Sequence, residues 1–300
     1  MPMGKLLLID GNAVLHRAFH AMPPFTTRRG EPIGAVHGFV NMILKAIADL
    51  KPTSIAVAFD EKEKTFRHIA LPSYQAQRPP TAEDLSSQFG KARAFLDAAK
   101  IPAYSKPGFE ADDVIGTIAE KSKEEVVIVT GDRDQLQLVN DRRNIKLYMP
   151  ITGLTNAKLF GEKETEERMG VGASLIDDYK ALVGDPSDNY SGVPGIGPKT
   201  AISLLTKYGS FENIYKNIKH IPQQTAQKLI RGEKAGRLSK KLATIVRDVP
   251  IDLNFEKMGK WKIDSPDVIK LFQEFGFKTL TERVKSAGRR IESEKQGELF

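Results

Sequence analysis

There is no cysteine among the 300 residues. Disulfides and thiolate metal sites are therefore excluded, and a reducing cytoplasm is the expected home of such a chain. Long apolar runs are missing too. The start, MPMGKLLLIDGN, offers only Leu6 to Ile9, too short for a signal peptide or a membrane span. No later stretch approaches spanning length, and no internal repeat or low-complexity tract is visible. What remains is an ordinary globular composition, 40% hydrophobic and 28% charged, with a net charge of +7. That balance suits a polyanionic partner without requiring one.

The first half alternates strands and helices. KLLLID (5–10), SIAVAFD (54–60) and EEVVIVTGD (124–132) are short apolar runs of the kind found in buried parallel strands, and IKLYM (145–149) suits a further strand. Between the first two, IGAVHGFVNMILKAIADL (33–50) has helical spacing and the length of a crossover helix. TAEDLSSQFGKARAFLDAAK (81–100) reads as an amphipathic helix capped by Thr81. The fold class is α/β with a mainly parallel central sheet and flanking helices. After about residue 155 the pattern turns helical, in SLIDDYKALVGD, PKTAISLLTKYG, SFENIYKNI and SPDVIKLFQEFGF. From Lys285 to Gly297 the chain is polar and reads as a solvated tail.

Acidic residues cluster in a way this framework does not explain. GFEADDVIG (108–116) holds Glu110, Asp112 and Asp113 against apolar Val114, Ile115 and Ile118. Predicted strands end at Asp10, Asp60 and, just past the third, Asp132 and Asp134; GDPSDN (184–189) adds Asp185 and Asp188. In open parallel sheets ligands bind beyond the carboxyl ends of the strands, so these acids are expected on one rim. Any one of them could be a helix cap or a turn residue. Together they would repel one another, and only Arg133 is interleaved among them. Divalent cations would resolve the repulsion, and all-oxygen ligation points to Mg²⁺ or Mn²⁺ rather than zinc. Carboxylates holding two such ions are the apparatus of phosphodiester hydrolysis.

GVPGIGPKTA (192–201) lacks the position and spacing of a dinucleotide fingerprint, and Pro198 intervenes where a Walker loop needs glycine before lysine. A helix-hairpin-helix remains, with a tight turn through Gly195 and Gly197 and Pro198 opening the next helix. Bare backbone and a helix N-terminus suit a DNA phosphate, with Lys199 adding charge. A plain helix-connecting turn is the alternative.

LLLIDGN, VAFD…TFRH, GFEADDVIG, TGDRDQLQL, GDPSDN and GVPGIGPKTA, in order and spacing, resemble the motifs of the bacterial 5′-nuclease family, related to the flap endonucleases. The resemblance covers roughly residues 4–285. It implies a PIN-like nuclease core over 1–155 with a helical arch at about 66–100, and a helical region over 156–285 that completes the active site and carries the hairpin at 192–208. A flexible tail, 286–300, would follow. It implies Asp10, Asp60, Glu110, Asp112, Asp113, Asp132, Asp134, Asp185 and Asp188 as ligands of two or more divalent metals, and allows K⁺ at the hairpin. Arg17, Phe19, His20, Arg67, Tyr74, Gln75, Arg78, Gly195, Gly197, Lys199 and Thr200 fall where the family meets DNA, although Phe19 suits a core equally well. Gln75 stands where the family commonly carries a rate-supporting lysine, which leaves Arg78 to compensate.

The implied activity is structure-specific 5′-3′ exonuclease and 5′-flap cleavage by a monomer in replication and repair, RNA-primer removal included. A non-catalytic DNA-junction binder on the same fold is the rival. An aspartate-nucleophile phosphatase is disfavoured because Asn12 stands where that chemistry wants a second aspartate. No polymerase follows, so the sequence suits either a fragment of a longer polymerase or a stand-alone nuclease. The ending QGELF resembles the motif by which bacterial replication proteins bind the sliding clamp, through Gln296, Leu299 and Phe300.

Overall fold

The computed structural model describes residues 4–153 and 156–297, with side chains as far as residue 294. Of the clamp-like ending, Leu299, Phe300 and the side chain of Gln296 lie outside the described residues.

The strands are β1 (Lys5–Asp10), β2 (Ser54–Ala58), β3 (Ala103–Tyr104), β4 (Glu125–Val129), β5 (Ile145–Thr152) and β6 (Asn156–Phe160). They lie in the order β3-β2-β1-β4-β5-β6. Every pairing is parallel except β5 with β6. The four strands expected from sequence are present; β3, of two residues, and the polar edge strand β6 carry too little apolar signal to be read. Strand order reverses between β1 and β4, which opens a crevice beyond their carboxyl ends.

Each central strand is buried on both faces, and alternate residues feed separate cores. Leu6, Leu8, Val126 and Ile128 pack with the helix Ala111–Lys121 and with the later helices Ile176–Val183 and Pro198–Tyr208. Leu7, Ile9, Val127 and Val129 pack with Gly11–Ala21, Gly34–Leu50 and Glu83–Ala98. No helix among the described residues is long and apolar enough to cross a membrane.

Three local expectations change. The arch does not extend to residue 100: Leu85, Ala92, Phe95 and Leu96 of Glu83–Ala98 are core residues. Gln88 of that helix ties it down further, its Oε1 accepting the N–H groups of Ala35 and Val36 at 2.8 and 3.2 Å. The short helix Phe66–Ala70 and the turns after it pack instead in a small cluster of their own beside the crevice, Tyr74 against Tyr190 and Leu242. Thr81 is not a cap, because the helix begins one residue later, at Ala82 as N-cap with no side-chain bond. The expected tail is helical to Gly297, as part of Lys278–Gly297. Ala287 and Ile291 pack on the core and Glu294 pairs with Lys51 at 2.9 Å, so a polar composition concealed a narrow apolar stripe.

The helix Gln223–Ala243, the longest among the described residues, also escaped sequence reading. Its buried stripe includes Leu229, Gly232, Gly236, Ser239 and Leu242. Small residues let it approach Val193 and Phe211 closely, and they leave almost no hydrophobic periodicity.

The helix Ile176–Val183 ends at Gly184, whose φ is +77°; a Cβ added there would fall 2.4 Å from the carbonyl carbon of Ser191. Gly184→Ala should therefore displace the loop carrying Asp185 and Asp188. The expected cost is about 2–3 kcal/mol, a left-handed penalty compounded by a backbone clash, measurable by urea unfolding; a loss within 0.5 kcal/mol, roughly the scatter for surface changes, would contradict it.

Candidate active site

Beyond the carboxyl ends of β1, β2 and β4 lies a cleft of about 1200 Å³. Asp10, Asp60, Glu110, Asp112, Asp132, Asp134 and Asp188 line it. Asp10 closes β1 and caps the following helix, its Oδ1 accepting from Ala13 N–H at 2.9 Å. Its Oδ2 accepts from the Thr130 hydroxyl and the Gln135 amide, both at 2.8 Å. Asp60 follows β2; its Oδ1 accepts from Ala111 N–H at 2.7 Å, and its own N–H donates to Asn12 at 3.0 Å. Asp112 receives one bond, from Gln135 at 2.7 Å. Asp132 accepts from Asp134 N–H at 2.8 Å.

The electrostatics follow from this crowding. Burial pushes Asp10 up to about 7, with Asp60 and Asp132 adding repulsion. Burial raises Asp112 well above the usual carboxylate range, reinforced by Asp132 and Asp10. Glu110 is pushed to about 7 by burial against the pull of Arg67, and Asp134 to about 6 by burial and Asp132.

Asp113 departs from the expected ligand set. Its side chain is fully buried and outside the cleft, held by Arg67 through two bonds of 2.7 and 2.9 Å. It also accepts the N–H groups of Glu110 and Val246. Arg67, expected at DNA, is itself buried, donating further to the carbonyls of Leu242 and Thr244 at 2.8 and 3.1 Å. One step along the helix separates the two roles: Asp112 faces the cleft and Asp113 faces the interior.

Asp134, Asp185 and Asp188 form a second group, with one carboxylate oxygen from each within 4.8 Å of the others. Lys180, which sequence reading did not single out, lies buried among them and pairs with Asp134 and, at 2.6 Å, with Asp185. Its spacing of five from Asp185 is the only clue the sequence offered. Arg78 pairs with Asp188 while remaining exposed. Tyr74, expected to meet bases, is buried; its hydroxyl donates to Asp188 at 3.1 Å and its ring stacks on Tyr190. Gln75 lines the cleft with φ of +56°.

A second cleft shares His16, Asp132 and Asp134 with the first and runs to the hairpin. Arg17, His20, Arg133 and Arg168 give it a basic wall, and Gly197 and Pro198 close its far end. Gly195 has φ of +81°, whereas Gly197 has ordinary geometry, so the tight turn needs only one of the two glycines. Lys199 and Thr200 are exposed on the first turn of the next helix. Phe19 packs on the core while His20 is exposed.

The residues present fit divalent ions. The donors are all oxygen, and buried Asp10 and half-buried Asp112 have neutral amide and hydroxyl partners only among the described residues.

Two family models match the chain: "5′-3′ exonuclease, N-terminal resolvase-like domain" over residues 5–170 and "5′-3′ exonuclease, C-terminal SAM fold" over 171–267. DNA polymerase I of Caldicellulosiruptor bescii is 39% identical over 283 residues, which cover 93% of this chain and 33% of that protein. The Bacillus subtilis DNA polymerase I is 37% identical over 284 residues, 93% and 32% respectively. The chain thus spans about a third of the length of these relatives. The solved structure of T5 5′-exonuclease with bound zinc is similar with a TM-score of 0.64 at 21% identity, covering 96% of this chain and 98% of that one. The catalytic core of Rad2 in complex with DNA gives 0.56 at 13% identity, covering 95% and 91%. At such identities the likeness establishes the fold.

Two outcomes are expected of the metal-free protein. Asp113→Asn should cost about 3–5 kcal/mol, because it removes the bidentate partner of buried Arg67 and leaves it only Glu110, at 3.4 Å, whereas Asp112→Asn should stabilise by relieving repulsion. Urea unfolding in EDTA checks the contrast, and equal losses would refute it. The second concerns pH. Asp10, Glu110 and Asp134 bind protons more tightly folded than unfolded, so their contribution to stability is greatest below the unfolded pKa, near 4, and is lost as pH rises through 6 to 7. The thermal midpoint in EDTA should therefore fall between pH 5 and pH 8, and divalent metal should flatten the decline; a midpoint that rises over this range would refute the assignment.

Proposed function

The chain belongs to the 5′-3′ exonuclease family, and on that premise we propose that it is a divalent-metal-dependent, structure-specific 5′ nuclease acting on DNA with 5′ flaps, nicks or single-stranded 5′ ends. The carrying observation is one rim of carboxylates drawn from three strand ends, continuous with a basic groove. The relatives and structural neighbours, a DNA polymerase I, a 5′-exonuclease with bound zinc and a catalytic core in complex with DNA, support the same reading.

Asp10 and Asp112, with Asp60, Glu110 and Asp132 beside them, would hold one ion; Asp134, Asp185 and Asp188 would hold another. Mg²⁺ or Mn²⁺ there supplies a Lewis acid and a water activated at neutral pH. The protein's own groups do the rest. Hydrogen bonds from Ala13, Thr130 and Gln135 fix Asp10 before substrate arrives, and Ala111 N–H fixes Asp60. Arg78, exposed beside Asp188, is placed to meet a phosphate at the rim and would supply the charge that Gln75 lacks. Arg17, His20, Arg133 and Arg168 would grip duplex backbone, and the N-terminus of Pro198–Tyr208 would take a phosphate further along.

The test is a 5′-labelled flap duplex incubated with Mg²⁺ or with EDTA. Cleavage should require metal. Asp132→Asn should lower the single-turnover rate at least ~10²-fold, the scale of losing one stabilising group at the reacting centre. Its DNA affinity in Ca²⁺ should stay measurable, since affinity comes mainly from phosphate contacts. Binding without cleavage by the unaltered protein would favour a junction-binding role; cleavage undiminished in EDTA would remove the metal from the account.

A further inference from the structure

Gln135 lies in the 3₁₀ turn Asp134–Leu138 after β4, and its side chain is wholly buried. Its Nε2 donates to Asp10 Oδ2 at 2.8 Å and to Asp112 Oδ1 at 2.7 Å. One amide thus ties the end of β1 to the helix Ala111–Lys121, giving one hydrogen to each acid. Asp10 has two other donors. Asp112 has none among the described residues, so Gln135 alone orients it, and its Oδ2 takes no hydrogen bond from them.

The other end of the amide is unusual. Oε1 is buried without a partner among the described residues. Turning the amide over would not help, because it would set a carbonyl oxygen against two carboxylates. An apolar side chain of similar volume would fill this space without burying an unpaired carbonyl, so packing does not account for a glutamine here. Nor does charge compensation: an amide softens repulsion between the two acids without contributing a charge that competes with a cation, unlike the Lys180 ammonium at the neighbouring group.

We propose that Gln135 is a positioning residue, holding Asp10 and Asp112 at the separation and orientation in which they jointly bind a divalent ion. The proposal rests on the metal-dependent reading above. It assigns to a neutral side chain, next to Asp134 in TGDRDQLQL, control over how well the first ion is held. Groups that orient metal ligands typically carry 10–100-fold in affinity.

Mn²⁺ titration followed by the EPR signal of the free ion tests this without reference to cleavage. The proteins are the unaltered chain, Gln135→Leu, Gln135→Met and, as a ligand control, Asp112→Asn. Both Gln135 variants should bind Mn²⁺ roughly 10–100-fold more weakly, and the rise in thermal midpoint on adding Mn²⁺ should shrink to match. Undiminished affinity in either folded variant overturns the proposal and leaves the metal reading standing. An unaltered protein that binds no Mn²⁺, or an Asp112→Asn variant that binds it as well, overturns the metal reading and the proposal together. One measurement needs no variant. The Gln135 amide protons, seen by ¹⁵N NMR, should stay protected from exchange when Mg²⁺ is added; their loss of protection would show that the amide leaves the carboxylates, which also overturns it.

Discussion

Carboxylates gathered on one rim raise the cost of ionising each other, and burial raises it further. The protein meets that cost with three kinds of neighbour, distributed unevenly. Asp113 has a full guanidinium, Asp134 and Asp185 share an ammonium, and Asp10 and Asp112 have only neutral donors. The gradient separates the roles of the acids. A carboxylate with a buried, bidentate cation is a structural strut. One with an amide or a hydroxyl is held in place yet still lacks its charge partner, and that is where a metal has the most to contribute. The significance of the Arg67–Asp113 pair lies in what it joins: the start of the arch region, the helix bearing Glu110 and Asp112, and the segment from Leu242 to Val246.

Much of this was legible in the sequence. The buried strands betray themselves by short branched apolar runs, and the acids that end them need only the topology of a parallel sheet to converge. What failed was any inference that hinged on the direction of a single side chain. Glu110, Asp112 and Asp113 are chemically alike on paper, and only the helix phase sends Asp112 outward and Asp113 into contact with Arg67. Arg67 and Tyr74 look like DNA contacts because charged and aromatic residues near an acidic motif fit that role, but a buried acid needs a cation and a buried aromatic needs company. Lys180 and Gln135 were missed for the opposite reason: even with Gln135 inside the quoted TGDRDQLQL, nothing in a sequence marks a helical lysine or a glutamine in a turn until the fold sets carboxylates around it.

The same geometry joins the arch region to the second group of acids. Gln75 N–H donates to the Asp188 carbonyl at 3.0 Å, and Asn189 Nδ2 donates to the Ser73 carbonyl at 2.7 Å. Tyr74 and Arg78 bond the Asp188 side chain from the same turn. With Gln77 Nε2 donating to Asn189 Oδ1 at 3.2 Å, these contacts bind residues 73–78 to the loop that supplies Asp185 and Asp188. Neither segment belongs to a strand or a long helix, so each depends on the other for its position. A strand of nucleic acid that pulled on the exposed Arg78 would pull on Asp188 as well, and a cation drawing Asp188 inward would loosen its hold on Arg78 and release that guanidinium to a phosphate. On the proposed reading, Arg78 and a cation would compete for one carboxylate, so metal ligation and substrate grip would favour one another at this end of the cleft, whereas Asp10 and Asp112, anchored on β1 and a buried helix, would be insulated from that exchange.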